Sequence, residues 1–449
     1  MFNNNLPLIL IVWVVAIALM GVIRRRKGTV GVGLVLSYVA YLSMLFCAAS
    51  VLYLLPWYHG PYEQFTIAGT EQSLYGILGF AFGSLALSPV FLDSGLLPRA
   101  TGGHQFDSRL PSAYLVIGGI SYVLLAVLFG QVPSLNAILS SGQELVVVGL
   151  SLSCWQAWRD GNTKKAAFWL MVGLLPPFIT IVTRGFIGYG AIATLSVLIF
   201  LSNFVRSRIK IVAACALLGY LALSLFVTYM RDRREIRASV WGGQSLSDRL
   251  EIVGETANDF EWFDPFNIEH LQRIDSRLNQ SYLVGAAVEH LAQTGEFAYG
   301  ETFRDAAMAL IPRLFWLDKP NVAGSGTLVA RFTGLKFDNA TTSVGIGQVM
   351  EFYANFGTTG VVVGFMIFGL ILTTLDILAT ERLQNGDLHG FVLFYLPGLA
   401  FLQVGGQLTE ITASAAASLI VALIVNRVLD RLQRKRILGR TPDVLSGTQ

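Results

Sequence analysis

Charge is scarce in this chain. Of its 449 residues only 14% are Asp, Glu, Lys or Arg, against 53% hydrophobic, and mean hydropathy is +0.58. A soluble protein of two or three domains, which that length would otherwise imply, does not have so little polar surface. Cysteine is nearly absent: Cys47, Cys154 and Cys215 all fall in apolar stretches and read as small buried hydrophobes, not as a disulfide framework. The five histidines (His59, His104, His270, His290, His389) show no metal-ligand spacing, and there is no H-E-x-x-H, G-x-S-x-G, P-loop or G-x-G-x-x-G. No metal and no nucleotide cofactor is therefore expected. Period-two alternation is missing too, which excludes an outer-membrane barrel. Within the apolar runs, away from their ends, no ionisable residue occurs, and that argues against an ion-coupled carrier.

What the chain does have is long apolar runs, each able to cross a hydrocarbon core of ~30 Å as a helix. Eleven can be placed: 6–23, 30–55, 74–92, 113–130, 139–158, 166–183, 185–205, 211–230, 357–378, 390–405 and 411–426. The expected fold is an all-α polytopic integral membrane protein with about eleven (10–12) transmembrane helices. The first run is followed by Arg24-Arg25-Arg26-Lys27, the reverse of a signal peptide, and so reads as an uncleaved anchor. Pro176-Pro177 is expected to kink the sixth run. Glu144 precedes the run 145–158, too short to cross alone, and is expected near the outer boundary.

Lys and Arg fix an orientation. Alternate short loops and the tail carry nineteen of them, and the opposite short loops carry one, Arg184. By the positive-inside rule the N-terminus is outside and the C-terminus cytoplasmic. The layout is a block of eight helices (1–230), a long external loop (231–355), a block of three helices (356–428) and a basic cytoplasmic tail (429–449). The long loop holds seventeen acids against twelve bases, a net of about −5, and opens on Arg231-Asp232-Arg233-Arg234 and Arg237. That burst reads first as snorkelling anchors for the eighth helix. Residues 276–291 have a weak helical pattern, and 301–311 puts Phe303, Ala307, Leu310 and Ile311 on one face, opposite Glu301, Arg304 and Asp305. The loop is expected to fold back on the membrane as interfacial helices.

Outside a cell no nucleotide is at hand, so a substrate there arrives already activated. A lipid-linked pyrophosphate sugar meets that condition, and Arg and Lys suit its leaving group. Two stretches are informative. Tyr299-Gly300-Glu301-Thr302-Phe303 and Ile311-Pro312-Arg313-Leu314-Phe315-Trp316-Leu317-Asp318-Lys319-Pro320 form the first; Ser343-Val344-Gly345 and Glu351-Phe352-Tyr353-Ala354-Asn355-Phe356-Gly357-Thr358-Thr359-Gly360 form the second. Together they resemble a signature of the Wzy-type O-antigen and exopolysaccharide repeat-unit polymerases, and Thr183-Arg184-Gly185 resembles the arginine motif shared with O-antigen ligases.

The resemblance implies a GT-C-like membrane glycosyltransferase in the bacterial inner (plasma) membrane. Its substrates would be an undecaprenyl pyrophosphate-linked glycan donor and acceptor, its surroundings membrane lipids, and a chain-length regulator its partner, with no metal, no cofactor and no nucleic acid. It would extend a glycan at the outer face. Onto this chain it places Arg184, Arg313 and Lys319 as pyrophosphate ligands, Glu351 with Arg184 and Arg313 as catalytic residues, Glu351 being the base, and Arg304, Arg331 and His290 as second-line candidates. Beside that stand structural alternatives: Arg313 as an interfacial anchor, Glu351 as partner of a nearby arginine, and Trp316, Phe352 and Tyr353 as a membrane-interface belt. Two other functions share the composition, a ligase-like glycosyltransferase and a lipid-linked oligosaccharide flippase or exporter component.

Overall fold

A chain in hydrocarbon must pair its backbone polar groups within itself, and the apolar runs do so as helices. A computed structural model describes residues 5–97, 107–128, 133–205, 207–311, 316, 318–320, 322–336 and 344–438, and within them every regular element is a helix. Before the long loop come α1 (Leu6–Arg26), α2 (Leu34–Phe46), α3 (Glu63–Phe82), α4 (Ser88–Asp93), α5 (Leu110–Leu128) and α6 (Pro133–Gln143). These are followed by α7 (Leu145–Arg159), α8 (Thr163–Gly173), α9 (Pro176–Arg184), α10 (Gly188–Ser202) and α11 (Arg208–Trp241). The loop itself holds α12 (Leu246–Asn258), α13 (Ile268–Leu278), α14 (Ser281–Thr294), α15 (Glu301–Ala309) and α16 (Ser325–Thr333). The chain ends in α17 (Gly347–Gln384), α18 (Leu388–Ala400) and α19 (Leu408–Leu438).

Among the described residues seven helices are long and apolar enough to cross a membrane: Leu6–Arg26, Glu63–Asp93, Leu135–Arg159, Thr163–Arg184, Ile209–Trp241, Gly347–Gln384 and Leu408–Leu432. Four shorter apolar helices, Leu34–Phe46, Leu110–Leu125, Gly188–Ser202 and Leu388–Ala400, take the remaining apolar runs. This is the fold of a helical membrane protein.

Several boundaries differ from the sequence expectation, each for a physical reason. The run 30–55 is not one helix: α2 stops at Phe46 and the chain makes a separate 3-10 turn over Ala49–Leu54. The run 74–92 belongs to a helix that starts eleven residues earlier, at Glu63. Its first turns are small and polar, so hydropathy misses them, yet Thr66, Gly69, Thr70 and Ser73 are all buried. They let α14 approach to backbone contact: a Cβ at Gly69 would lie 1.9 Å from the Ser281 carbonyl oxygen, and one at Gly285 1.9 Å from that of Phe65. Small residues at a helix crossing do this generally in membranes. The double proline does not bend a helix but starts one, with Pro176 in the first turn of α9. The Gly173 carbonyl at the break accepts from the Thr194 hydroxyl (2.8 Å).

Contacts at the helix ends sort into two sets. At the end carrying the basic loops, Arg24 meets Asp376 (2.9 Å), and Gly33 lies against Asn203. There too Tyr114 bonds His389 and Asn426. At the opposite end Tyr122 bonds Thr183, Ser141 bonds the Ser414 carbonyl, and Tyr53 and Tyr58 both donate to Asp275.

The loop 231–355 is not set apart from the helices. α14 packs along α3, and its core residues Leu283, Val284, Ala287 and Leu291 join the main cluster with Tyr38, Phe80, Phe352, Phe365 and Phe368. In α15 the buried residues are Thr302 and Ala306, with Phe303 packed beside them, whereas Ala307, Leu310 and Ile311 are exposed. The apolar face expected from the sequence is thus rotated, because α15 lies on α19 with the Ala306 carbonyl accepting from the Thr412 hydroxyl (2.8 Å).

Candidate functional site

Two neighbourhoods at the end opposite the basic loops hold the candidate residues. The first is the turn after α9. Gly185 closes that helix in the left-handed region (φ 71°), which leaves its carbonyl free to accept from Tyr229 Oη (2.8 Å) and Arg237 Nε (3.3 Å). Arg184, the last residue of α9, donates from Nη2 to Gln143 Oε1 and stands between the rings of Tyr122 (5.0 Å) and Tyr189 (5.5 Å). Arg237, 9% exposed, lies over Phe186 (4.2 Å) and Trp241 (5.2 Å). Arg233, one turn earlier on α11, faces Tyr229 and is within electrostatic reach of Arg237 and of Arg277 on α13.

Among the described residues none of Arg184, Arg233, Arg237 and Arg277 has a carboxylate partner. Other arginines of the same loop do. Arg231 meets Asp232 (2.7 Å) and Glu261 (3.1 Å), Arg273 meets Glu261 (2.6 Å), Arg304 meets Asp305 (3.2 Å) and Arg331 meets Glu301 (2.8 Å). Two of these cations, Arg184 and Arg237, are stacked on aromatic rings, and Arg233 and Arg237 are partly desolvated. With Arg277 beside them and no acid among the described residues to pair them, they are arranged to receive an anion from outside the chain.

Glu261 holds the paired side of α11. Burial pushes its carboxyl up, but hydrogen bonds from Arg273 and Arg231 outweigh that and keep it below the ordinary glutamate range. A carboxyl lowered by folding contributes stability that is complete above its unfolded value and is lost as pH falls through its folded one. The thermal unfolding midpoint is therefore expected to drop as pH falls below the ordinary glutamate range. A Glu261→Gln variant should start lower at neutral pH and lose less over that interval, and parallel curves would refute the assignment.

The second neighbourhood joins α15 to a break in α17. Asn355 Oδ1 accepts from the Gly300 amide (2.8 Å), and its Nδ2 donates to Thr302 Oγ1 (2.7 Å) and the Glu351 carbonyl (2.7 Å). Phe303 packs on Phe352 and Phe356, with centroids 5.8 Å apart in each case. The two sequence stretches singled out above, Tyr299–Phe303 and Glu351–Gly357, are thus one contact. Gly300 needs its positive φ (90°), and Tyr299 before it is the one non-glycine among the described residues with φ above zero (44°).

Glu351 is completely buried. Its Oε2 accepts from the Leu408 amide (2.7 Å), the first residue of α19, where a carboxylate also meets the positive end of the helix dipole. No arginine bonds it among the described residues, so the expected arginine partner is replaced by a helix start. Oε1 is buried beside Thr302 without a hydrogen-bond partner among those residues. Glu351→Gln keeps the shape and an acceptor for Leu408, and Glu351→Ala keeps neither. If Glu351 serves packing, the glutamine variant should keep the wild-type melting temperature and activity while alanine costs about 1–3 kcal/mol. If it moves a proton, glutamine should fold normally and lose activity.

Outside that contact Glu301, Arg304, Asp305, Met308, Pro320, Val322 and Ala323 line a groove of about 380 Å³. Arg304 and Arg331 border it, each paired with an acid, and Lys319 donates to the Ile311 carbonyl (2.9 Å). His290 supports a turn: a Cβ at Gly334 (φ 67°) would lie 2.9 Å from its Nδ1. Arg313 lies outside the described residues. The structure brings Glu351, Arg304, Arg331 and Lys319 to one side of α19. Arg184 stands apart, linked to α19 through Gln143 and the neighbouring Ser141–Ser414 bond.

Sequence reasoning set membrane anchoring by Arg233 and Arg237 ahead of a ligand role, and it did not single out Arg277. A signal was present: Tyr229, Arg233, Arg237 and Trp241 recur every four residues and so share one face of α11. Glu144, which the sequence places near the outer boundary without assigning it a role, lies between α6 and α7 with Oε2 buried and without a hydrogen-bond partner among the described residues.

A family model described as "Domain of unknown function (DUF8712)" matches residues 101–438. No curated protein and no solved structure matches the chain.

Proposed function

The chain belongs to this DUF8712 family, whose description assigns no activity, and from its own residues we propose a membrane glycosyltransferase that extends a polysaccharide. It takes a glycan from an undecaprenyl pyrophosphate carrier and adds it to a second lipid-linked repeat unit at the outer face of the bacterial inner membrane. Its eleven apolar helices cross that membrane with the N-terminus outside and the C-terminus in the cytoplasm, and the loop 231–355 lies on the outer side. The observation that carries the reading is the set of four arginines around Gly185 that have no carboxylate partner among the described residues. A diphosphate supplies the missing negative charge, and it sits at headgroup depth where α9 ends.

The reaction is a displacement at the anomeric carbon. The bond from that carbon to the diphosphate oxygen breaks with the electron pair leaving on the diphosphate, and the acceptor hydroxyl forms the new glycosidic bond and gives up its proton. Arg184, Arg233, Arg237 and Arg277 act on the leaving group, where charge develops. The rings of Tyr122, Phe186, Tyr189 and Trp241 hold two of these guanidiniums in place and exclude water. Arg313 and Lys319 belong to the same proposed ligand set from the loop. For Glu351 to take the acceptor proton, α15 must move off the start of α19.

The test is an electrophoretic separation of surface polysaccharide from a strain lacking the gene, with and without its restoration. Loss and recovery of long chains supports polymerisation. Normal chain lengths that are no longer joined to their final acceptor would point to a ligase, and accumulation of the lipid-linked unit on the inner leaflet would point to an exporter.

A further inference from the structure

The basic end of the bundle carries a second feature, independent of the arginine cluster. Trp158, Phe204, Val205, Ser207 and Lys210 line a cleft of about 440 Å³ where α7, α10 and α11 meet. Lys210 is the base in its lining, and Trp158 leads directly into the loop 159–165, whose sequence holds Arg159, Lys164 and Lys165 with a single acid, Asp160. Asp160 lies 3.6 Å from Arg159, and among the described residues Lys210 has no acidic partner.

The cleft is amphipathic in a definite direction. Its rim carries Lys210 and the Ser207 hydroxyl, and its floor is aromatic and aliphatic. Directly below, the first turns of α11 expose Ile209 (82%) and Val212 (68%), and Trp158 beside them is 52% exposed. Among the described residues nothing covers this slope, and in a membrane-crossing helix it faces acyl chains. A soluble anion would use the rim and gain nothing from the slope. A zwitterionic lipid would bring its own cation against Lys210.

We propose that this cleft is a binding site for an anionic phospholipid, its phosphate at Lys210 and the Ser207 hydroxyl and its acyl chains along Ile209, Val212 and Trp158. Basic clefts at the membrane surface select anionic headgroups in this way, with one lysine worth about a fivefold preference. Seated there, the lipid ties the start of α11 to α7 and to the end of α10. α11 is also the helix that carries Arg233 and Arg237 at its far end.

The test uses the full chain purified in neutral detergent, offered equimolar phosphatidylglycerol and phosphatidylcholine, with the retained lipid counted by native mass spectrometry. Wild type is expected to hold about five times more phosphatidylglycerol than phosphatidylcholine. Lys210→Gln, which removes the charge and keeps most of the side-chain length, should bring that ratio to about one, and Lys210→Glu, which reverses the charge, should bring it below one. Trp158→Ala should lower both lipids together. Arg249→Glu, at the other end of the molecule, should change nothing. Equal retention of the two lipids by wild type, or an unchanged ratio in both Lys210 variants, overturns the proposal. So does displacement of the lipid by millimolar glycerol phosphate, which would make this a site for a free phosphate.

Discussion

Alanine at both Arg184 and Arg237 is expected to abolish chain extension while leaving the protein in the membrane at normal abundance. Each guanidinium that stabilises a departing diphosphate is worth about a hundredfold in rate, and losing two takes extension below the rate of export. The single variants separate the roles. Arg184 holds Gln143 and stacks on two rings, whereas Arg237 also bonds the Gly185 carbonyl, so its loss loosens the turn as well. Arg237→Lys keeps the charge but gives up the planar stacking on Phe186 and Trp241, and should retain a small part of the activity. Extension would be read as the polysaccharide ladder in a complemented deletion strain, and as product formed in vitro from purified lipid-linked donor. Wild-type ladders from the double variant would remove the diphosphate from this site.

The largest effect on stability is expected at the other end of the molecule. Asp376 is 1% exposed and receives three hydrogen bonds, from Arg24 (2.9 Å) and from the Gly33 and Leu34 amides (3.0 Å each). It thereby joins α1, the start of α2 and α17. Asp376→Ala leaves a buried guanidinium and two amides without their acceptor, which costs about 3–5 kcal/mol. The melting temperature of the detergent-solubilised protein should fall by roughly 5–10 °C. Arg24→Met with Asp376→Leu removes the unpaired guanidinium and should recover part of the loss, the Gly33 and Leu34 amides staying without that acceptor. Asp376→Ala melting with wild type would show that the pair contributes nothing.

Much of the helical scaffold could be read from the sequence because hydrocarbon leaves few choices: the apolar runs are largely helical, although 30–55 ends in a separate 3-10 turn and 166–183 is broken before Pro176. What escaped were contacts that hydropathy does not encode. The first turns of α3 looked too polar to be buried, yet small side chains there are what lets α14 in. Asp376 sat near the end of an apolar run, and nothing local signals that its partner lies 352 residues away. The rotated face of α15 has the same cause, since α19, which covers it, comes a hundred residues later. At the candidate site, Arg184 stood out because it broke a charge bias. Arg233 and Arg237 were hidden inside a basic burst that also suits simple anchoring, and only the fold separates them from Arg231, which is neutralised by Asp232 and Glu261. Glu351 was legible as unusual, but its complete burial was not.

α17 is jointed where its helix breaks. Phe356 and Gly357 leave the helical region, and Gly357 adopts φ 59° with ψ −150°, a conformation open to glycine alone. The nine residues ahead of it, Gly347–Asn355, act as a short crank jointed to the long shaft behind. The crank carries Glu351 toward α19 and grips Gly300 through Asn355. Any side chain at 357 would straighten the shaft and pull the crank off both grips. Gly357→Ala should then loosen α15 and α19 at once, visible as paired loss of amide-exchange protection in segments a hundred residues apart.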